Sequence, residues 1–263
     1  MYRIFQQLPK LASALSDSLA GKLFLYLKLV YFSVSRKKFL KNRSLKFNLK
    51  YNNKKFDLNI QNNSDIAVLV EIFVLNEYSW KIPFEVSSVL DLGAHWGDTA
   101  LYYSLTNPDS KIFSFEPMPT IYKRLTDVVS QFPNISTYNA ALSNRDGEIS
   151  FYFSENTLGN SVMERNKGQS SITVPAVTID GIREKTGIQK FDLVKFDIEG
   201  SEKFLFEYPN LSGFARSLIG EIHLDLMPLS LEEIKESLNG FEVEFKRLKA
   251  HRYIVTAIEK TTD

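Results

Sequence analysis

Cysteine is absent from the 263 residues, which removes disulfides, thiolate zinc sites, iron–sulfur clusters and cysteine nucleophiles together. Histidine is scarce, and His95, His223 and His251 are too scattered to spell a metal-binding motif. Long apolar runs are missing too. The densest one, Leu23 to Phe32, is interrupted by Lys28 and is about half of the roughly 20 residues that a membrane span needs. No small-residue cleavage site follows it, and Arg36-Lys37-Lys38 comes next instead, so a secretory signal fits badly. A cytoplasmic protein is expected.

What is present is an uneven charge distribution. Residues 1–60 carry 13 Lys or Arg against Asp17 and Asp57, whereas residues 61–263 carry 19 basic and 29 acidic residues. The chain reads as a basic N-terminal extension, 1–60, joined to an acidic body, 61–263. In the extension Leu8, Leu11, Leu15, Leu19, Leu23, Leu27, Val30 and Val34 recur at helical spacing. Two readings of that helix survive: packing on the body, or lying on an anionic membrane through residues 1–43. Leu45 to Tyr51 and Phe56 to Ile60 alternate about Asn52-Asn53, which predicts a β-hairpin. A helix is expected over 66–75, with Asp65 as its N-cap.

Beyond Pro83 the pattern alternates strand and helix. Strands are expected at 88–92, 111–116, 135–140, 192–197 and 217–223, and helices at 98–106, 119–131, 178–186 and 200–207. Val89-Leu90, Leu193-Val194 and Leu218-Ile219 are short apolar runs, as a sheet covered on both faces requires. Segments 147–153 and 171–177 read as an inserted strand pair. A helix at 231–239 and a hairpin of 242–248 with 253–259 close the chain. The expected class is α/β, a Rossmann-like, mostly parallel sheet with a closing antiparallel hairpin.

The most informative stretch runs from Ser88 through Asp91, Gly93, Ala94, His95 and Gly97 to Asp98 and Thr99. A strand ends at Asp91, a glycine-bearing turn follows, and a helix opens near Asp98, at the strand ends where such folds bind ligands. Gly93 allows close backbone approach, and the helix N-terminus after Gly97 can meet a carboxylate. The spacing departs from G-x-G-x-x-G, since His95 stands where that fingerprint needs glycine, which disfavours a dinucleotide. Asp91 before the turn can instead receive the ammonium of a nucleoside ligand that carries an amino acid. Glu116, followed by Pro117, ends the next strand, 23 residues after Gly93; an acid there suits ribose hydroxyls.

Two further pairs carry chemistry. Lys195 and Asp197 share one face of a strand that otherwise reads as buried, where an unpaired charge would cost several kcal/mol. The pair is either structural, or Asp197 stands beside the reacting atoms with Glu199 and Glu202 reaching a substrate. Glu221 and His223 repeat the spacing on the next strand. There His223 is either a satisfied edge residue or a general base oriented by Glu221. Nothing requires a metal, although Asp197, Glu199, Glu221 and His223 together offer hard ligands.

Asp91-Leu-Gly-Ala, Phe115-Glu116-Pro117, Asn139-Ala-Ala-Leu-Ser143 with Gly147, Val177-Thr-Ile-Asp180, and the block from Asp192 through Lys195, Asp197, Glu199 and Gly200 to Glu202 occur in this order. Together they resemble the FkbM family of methyltransferases over about residues 65–245. The resemblance implies a class I methyltransferase fold and methyl transfer from S-adenosylmethionine, usually to oxygen and often on sugars. It implies that Asp91, Gly93, Ala94 and Gly97 line the methionine part of the cofactor, that Glu116 holds the ribose, and that Ala140 and Ala141 flank the adenine. The family usually carries asparagine where this chain has His95. The expected acceptor is a hydroxyl of a sugar, a glycolipid or a related metabolite. Methylation of nitrogen, lipid or protein stays open, as does a non-catalytic nucleoside-binding protein. Nucleic acid is not an expected partner, because the basic extension lacks stacking aromatics and Gly-rich motifs.

Overall fold

The structure, a computed structural model, describes residues 2–35, 44–152 and 170–260. The apolar stripe at the N-terminus breaks into two helices, α1 (Tyr2–Ala14) and α2 (Leu19–Ser35). The break falls at Ser16-Asp17-Ser18, where Ser18 Oγ accepts from Gly21 N at 3.0 Å, a side-chain acceptor at a helix start. Asp17 pairs with Lys50. In α1 the stripe residues Leu8 and Leu11 are buried, and so is Leu15 just beyond it. In α2 burial moves to Leu25, Leu29 and Phe32, and the stripe residues Leu19, Leu23, Leu27 and Val34 face solvent. Leu8, Leu29 and Phe32 share one core with Phe47, Ile66, Val89, Leu101 and Ile219. The hydrophobic core therefore does not divide at residue 60, and α1 and α2 are packed on the body.

Strands β1 (Leu45–Tyr51) and β2 (Lys54–Ile60) form the expected hairpin. Asn52 and Asn53 turn it with φ of 46° and 64°, the left-handed pair of a type I′ turn. Helix α3 (Asn63–Phe73) starts earlier than its apolar pattern. Its N-cap is Asn62, and Asp65 sits in the first turn. The Asn62 side chain takes Asp65 N at 2.9 Å while Asp65 Oδ2 takes Asn62 N at 3.2 Å, so the expected cap is the reciprocal half of a capping box.

The body then alternates as expected: β3 (Ser88–Leu92), α4 (Asp98–Thr106), β4 (Lys111–Phe115), α5 (Pro119–Val129) and β5 (Ile135–Tyr138). A small sheet follows, made of β6 (Ala141–Leu142), β7 (Gly147–Tyr152) and β8 (Ser171–Val177). The chain continues through α6 (Ile179–Thr186), β9 (Leu193–Phe196), α7 (Glu202–Phe206) and β10 (Ser217–His223). It ends in α8 (Leu231–Ser237), β11 (Phe241–Lys249) and β12 (Arg252–Glu259).

The seven-stranded sheet has the order β11-β12-β10-β9-β3-β4-β5. The pairs from β10 through β9, β3 and β4 to β5 are parallel, and β12 is antiparallel to both neighbours. Val89, Ile112, Leu193 and Ile219 feed one core with α4 and α5, while Leu90, Phe113, Val194 and Leu218 feed a second core with α6, α7 and α8. Successive residues thus serve opposite faces, which is why these strands read as unbroken apolar runs. The strand order reverses between β3 and β9, so a crevice opens at their carboxyl ends.

Candidate active site

The turns after β3 and β9 meet in direct backbone contact. Gly93 has φ of +74°, and a Cβ on it would lie 2.0 Å from the Asp197 carbonyl oxygen. Asp197 N donates to Leu92 O at 3.0 Å. Only glycine tolerates both the left-handed backbone and that approach. Gly97 answers to packing instead: at φ +97° its Cβ would press on Leu125 and Val129 of α5 at 3.0 Å.

Asp91 does not face the crevice. It is fully buried, lies directly opposite Lys195 in the β3–β9 register, and pairs with Lys195 Nζ at 3.1 Å. Thr99 Oγ1 donates to its other oxygen at 2.8 Å, and Lys195 also donates to Gly93 O at 2.9 Å. Burial opposes the Lys195 charge, but the Asp91 carboxylate, then Asp197 and Asp98, outweigh it and hold the ammonium. Asp91, expected to receive a ligand's ammonium, is thus set against Lys195 and Thr99, and Lys195 takes its partner across strands rather than along its own.

The cavity at the crevice is lined by six expected cofactor residues, Gly93, His95, Glu116, Pro117, Ala140 and Ala141. Asp91, Ala94 and Gly97 are not among its lining residues. Glu116 is buried, and its carboxylate accepts His95 N at 3.0 Å and Met118 N at 2.9 Å. Burial pushes its pKa up to about 7, against the pull of those two backbone donors and of His95. The Asn139 side chain donates to Glu116 O at 2.7 Å and Pro117 O at 2.8 Å, which holds the strand end in place. His95 has φ of 48°, a conformation in which asparagine and histidine are both enriched, so the departure at this position keeps the backbone. The His95 ring lies 3.1 Å from Asp98 Oδ2. Burial works against its charge, but Asp98 and Glu116 outweigh that and raise its pKa.

The apolar part of the lining includes Phe115, Ile121, Leu142 and Phe151 beside the two alanines; the acidic wall carries Glu71, Glu77, Asp98, Asp197, Glu199 and Glu221, with Tyr78 and Lys195. The sequence reading missed Glu71, Glu77 and Tyr78, which come from the loop and helix before β3, and the lining role of Asp98. Tyr78 is buried, and its hydroxyl lies 3.3 Å from Asp197 Oδ2.

His223 sits behind the acidic wall, almost fully buried. Its Nδ1 lies 2.7 Å from Glu202 Oε1, and Glu202 also takes Gly200 N at 2.7 Å. Glu202 is 0% exposed and makes the short contact with the ring, whereas Glu221, expected to orient the histidine, faces Nε2 at 3.5 Å. Nε2 faces Glu199 and Glu221 at 3.5 Å and Asp197 at 3.8 Å. Burial pulls the His223 pKa down, but the Glu202 hydrogen bond and the charges of Glu202, Asp197 and Glu199 push it up to about 9. A pKa raised in this way works against the general-base role near neutral pH.

A family model described as the methyltransferase FkbM domain matches residues 91–243, more than half of the chain. The chain belongs to the FkbM methyltransferase family. Its sheet, mostly parallel with β12 antiparallel between β10 and β11, is the class I methyltransferase arrangement. A curated relative, the hexuronic acid methyltransferase AglP of Haloferax volcanii, is 25% identical over 146 residues, covering 55% of this chain. The chain spans 59% of that protein's length. Similar solved structures include an FkbM methyltransferase from Methylobacillus flagellatus, with a TM-score of 0.46 and 12% identity over 97% of this chain and 58% of that one. Aeropyrum pernix fibrillarin with natively bound S-adenosyl-L-methionine has a TM-score of 0.45 and 16% identity over 86% of each chain. Within the FkbM match lie Glu116, Ala140, Asp197, Glu199, Glu221 and His223; Glu71, Glu77, Tyr78 and Arg252 lie outside it.

Proposed function

We propose that the protein is an S-adenosylmethionine-dependent O-methyltransferase acting on a hydroxyl of a sugar or glycolipid. The observation that carries this reading is the cavity itself. Its lining combines a buried carboxyl, Glu116, and apolar side chains with a cluster of carboxylates, Asp197, Glu199 and Glu221, at and just beyond the ends of β9 and β10. The residues fit the cofactor. Glu116 suits the two ribose hydroxyls, Ala140, Ala141, Leu142 and Phe115 suit the adenine, and Asp98 with Glu71 offers the acid for the ammonium. The acidic wall also favours a cationic ligand over the anionic pyrophosphate of NAD.

Bound S-adenosylmethionine supplies an electrophilic sulfonium methyl, which needs an acceptor oxygen held in line about 3 Å away with water excluded. The protein's share is positioning and proton removal. With the cofactor bound, Asp197, which Tyr78 contacts at the end of β9, would take the hydroxyl proton as the acceptor oxygen gains the methyl and S-adenosylhomocysteine is left. Glu199 and Glu221, beside it on the wall, are placed to accept hydrogen bonds from neighbouring sugar hydroxyls. We expect labelled methyl transfer to a panel of hexoses and hexuronic acids. Asp197→Asn should lower kcat by about 100-fold or more while leaving S-adenosylhomocysteine affinity within about twofold. An unchanged kcat would remove Asp197 as the base, and transfer to amines alone would remove the O-methyl reading.

The exposed face of α2 supports a second element of the proposal, attachment to an anionic membrane surface. Leu19, Leu23, Phe24, Leu27, Tyr31 and Val34 are all more than half exposed and share one side of the helix. The basic segment Arg36-Lys37-Lys38 follows in the sequence. Among the described residues no helix is long and apolar enough to cross a membrane, which leaves the interface plane. Because Leu8 and Leu29 belong to the core, the test is substitution rather than deletion. Leu23, Phe24 and Leu27 changed together to Gln should reduce sedimentation with phosphatidylserine vesicles about tenfold or more. Equal sedimentation of the variant would reject the attachment.

A further inference from the structure

We propose that His223 Nε2, Asp197 and Glu221 form a binding site for one divalent cation of the manganese type, open to the cavity. One donor atom from each of the three lies within 4.8 Å of the other two. The imidazole nitrogen is buried and has no hydrogen-bond partner among the described residues. It lies 3.5 Å from Glu221 Oε1 and 3.8 Å from Asp197 Oδ1. Those separations are long for hydrogen bonds. They are close to the roughly 3.0 to 3.4 Å that separates adjacent ligands around a cation bound at about 2.1 Å.

The back of the ring is built as metal-binding histidines are built. Nδ1 faces the buried Glu202 carboxylate at 2.7 Å, and Glu202 is anchored by Gly200 N. A carboxylate behind a histidine fixes the tautomer, turns the free lone pair toward the ion and raises its basicity. A divalent cation there takes the place of the proton that the acids otherwise hold on the ring.

Charge points the same way. Asp197, Glu199, Glu202 and Glu221 converge on this corner, and the cation facing it from β12 is Arg252, which Asp225 also engages at 3.3 Å. Arg252 Nη1 approaches Glu199 Oε2 at 3.6 Å and Glu221 Oε1, the oxygen that faces His223 Nε2, at 3.5 Å, so it shares that carboxylate with the ion. Lys195 is committed to Asp91. A donor set of one imidazole and carboxylate oxygens suits manganese, whereas magnesium takes nitrogen reluctantly and thiolate-seeking metals lack sulfur here.

Asp197 and Glu221 line the cavity, so the ion's open positions face the acceptor. Resting on the methyltransferase reading, the site selects acceptors with two adjacent oxygens, a vicinal diol or a hydroxy-carboxylate. In the second case the ion offsets the repulsion that the acidic wall would otherwise impose. Asp197 would offer Oδ1 to the ion and keep Oδ2, on the Tyr78 side, for the hydroxyl proton.

The test is titration of the chelator-treated full chain with manganese chloride, followed by electron paramagnetic resonance. The expected result is one bound Mn2+ per chain with nitrogen coupling from a directly ligated imidazole. Glu221→Gln should weaken binding about tenfold or more, and His223→Gln should abolish the nitrogen coupling. Glu221→Gln is near-isosteric on a half-buried side chain, so it reports even if the buried histidine variant fails to fold. No binding up to millimolar Mn2+, or binding that Glu221→Gln leaves unchanged, would overturn the site. Nitrogen-coupled Mn2+ without methyl transfer would keep the site and remove the enzyme reading. Full transfer without nitrogen coupling would do the reverse.

Discussion

Lys195→Met should lower the unfolding free energy by about 3 to 5 kcal/mol, because it leaves the Asp91 carboxylate buried without its counter-charge. Asp91 is 0% exposed and Lys195 is 2% exposed, so water cannot replace the lost partner. Gly93 O also loses its Lys195 donor, which adds to the cost. The double variant Asp91→Asn with Lys195→Met should recover most of the loss. The amide oxygen still accepts from Thr99 Oγ1, and no charge remains in the sheet. Urea unfolding measures all three proteins. A single-variant loss below about 1 kcal/mol, typical of exposed pairs, would contradict the description, as would a double variant no more stable than the single one.

Glu116→Gln should weaken S-adenosylhomocysteine binding by about 10- to 100-fold, roughly 1.4 to 2.8 kcal/mol, through loss of charge-assisted hydrogen bonds to the ribose. The pH dependence gives a sharper form. With a pKa of about 7, Glu116 must lose a proton to accept both hydroxyls, so affinity should fall about tenfold from pH 8 to pH 6. The Gln variant should be flat over that range.

Stability runs in the opposite sense. The folded pKa is raised, so between about 4.5 and 7 the free folded protein holds a proton that the unfolded chain has released. The Glu116 contribution is therefore full at about pH 4.5 and is lost as pH rises through 7, by about 3 kcal/mol. Ligand binding should offset much of that loss. An affinity that is independent of pH in the wild type would place the ribose elsewhere.

The centre of the sheet is legible because its strands are buried on both faces, and β3 and β10 match their expected ranges, 88–92 and 217–223, residue for residue. The small strand β6 spans only Ala141–Leu142, too short to show a period, and it went unread. The N-terminal stripe was read as one helix because periodicity does not show that Ser16-Asp17-Ser18 breaks it or that burial changes sides.

In the site, Glu116 was legible from its distance to the glycine turn. The Lys195 partner was not, since spacing along one strand shows a shared face but not the cross-strand register that sets Asp91 opposite it. The burial of Glu202 was hidden for a related reason: its place in the motif is visible, but the α7 start that turns it inward under His223 is not. Tyr78 and the acids Glu71 and Glu77 come from outside the motif-bearing region, so no pattern announced them.

The central claim is that this cavity binds a methionine nucleoside. Parallel calorimetric titrations of the wild-type chain with S-adenosylmethionine, S-adenosylhomocysteine and NAD test it most directly. The account predicts binding of the first two at about micromolar Kd, weakened by Glu116→Gln, and none of NAD. Binding of NAD, or silence from both methionine nucleosides in folded protein, would contradict it.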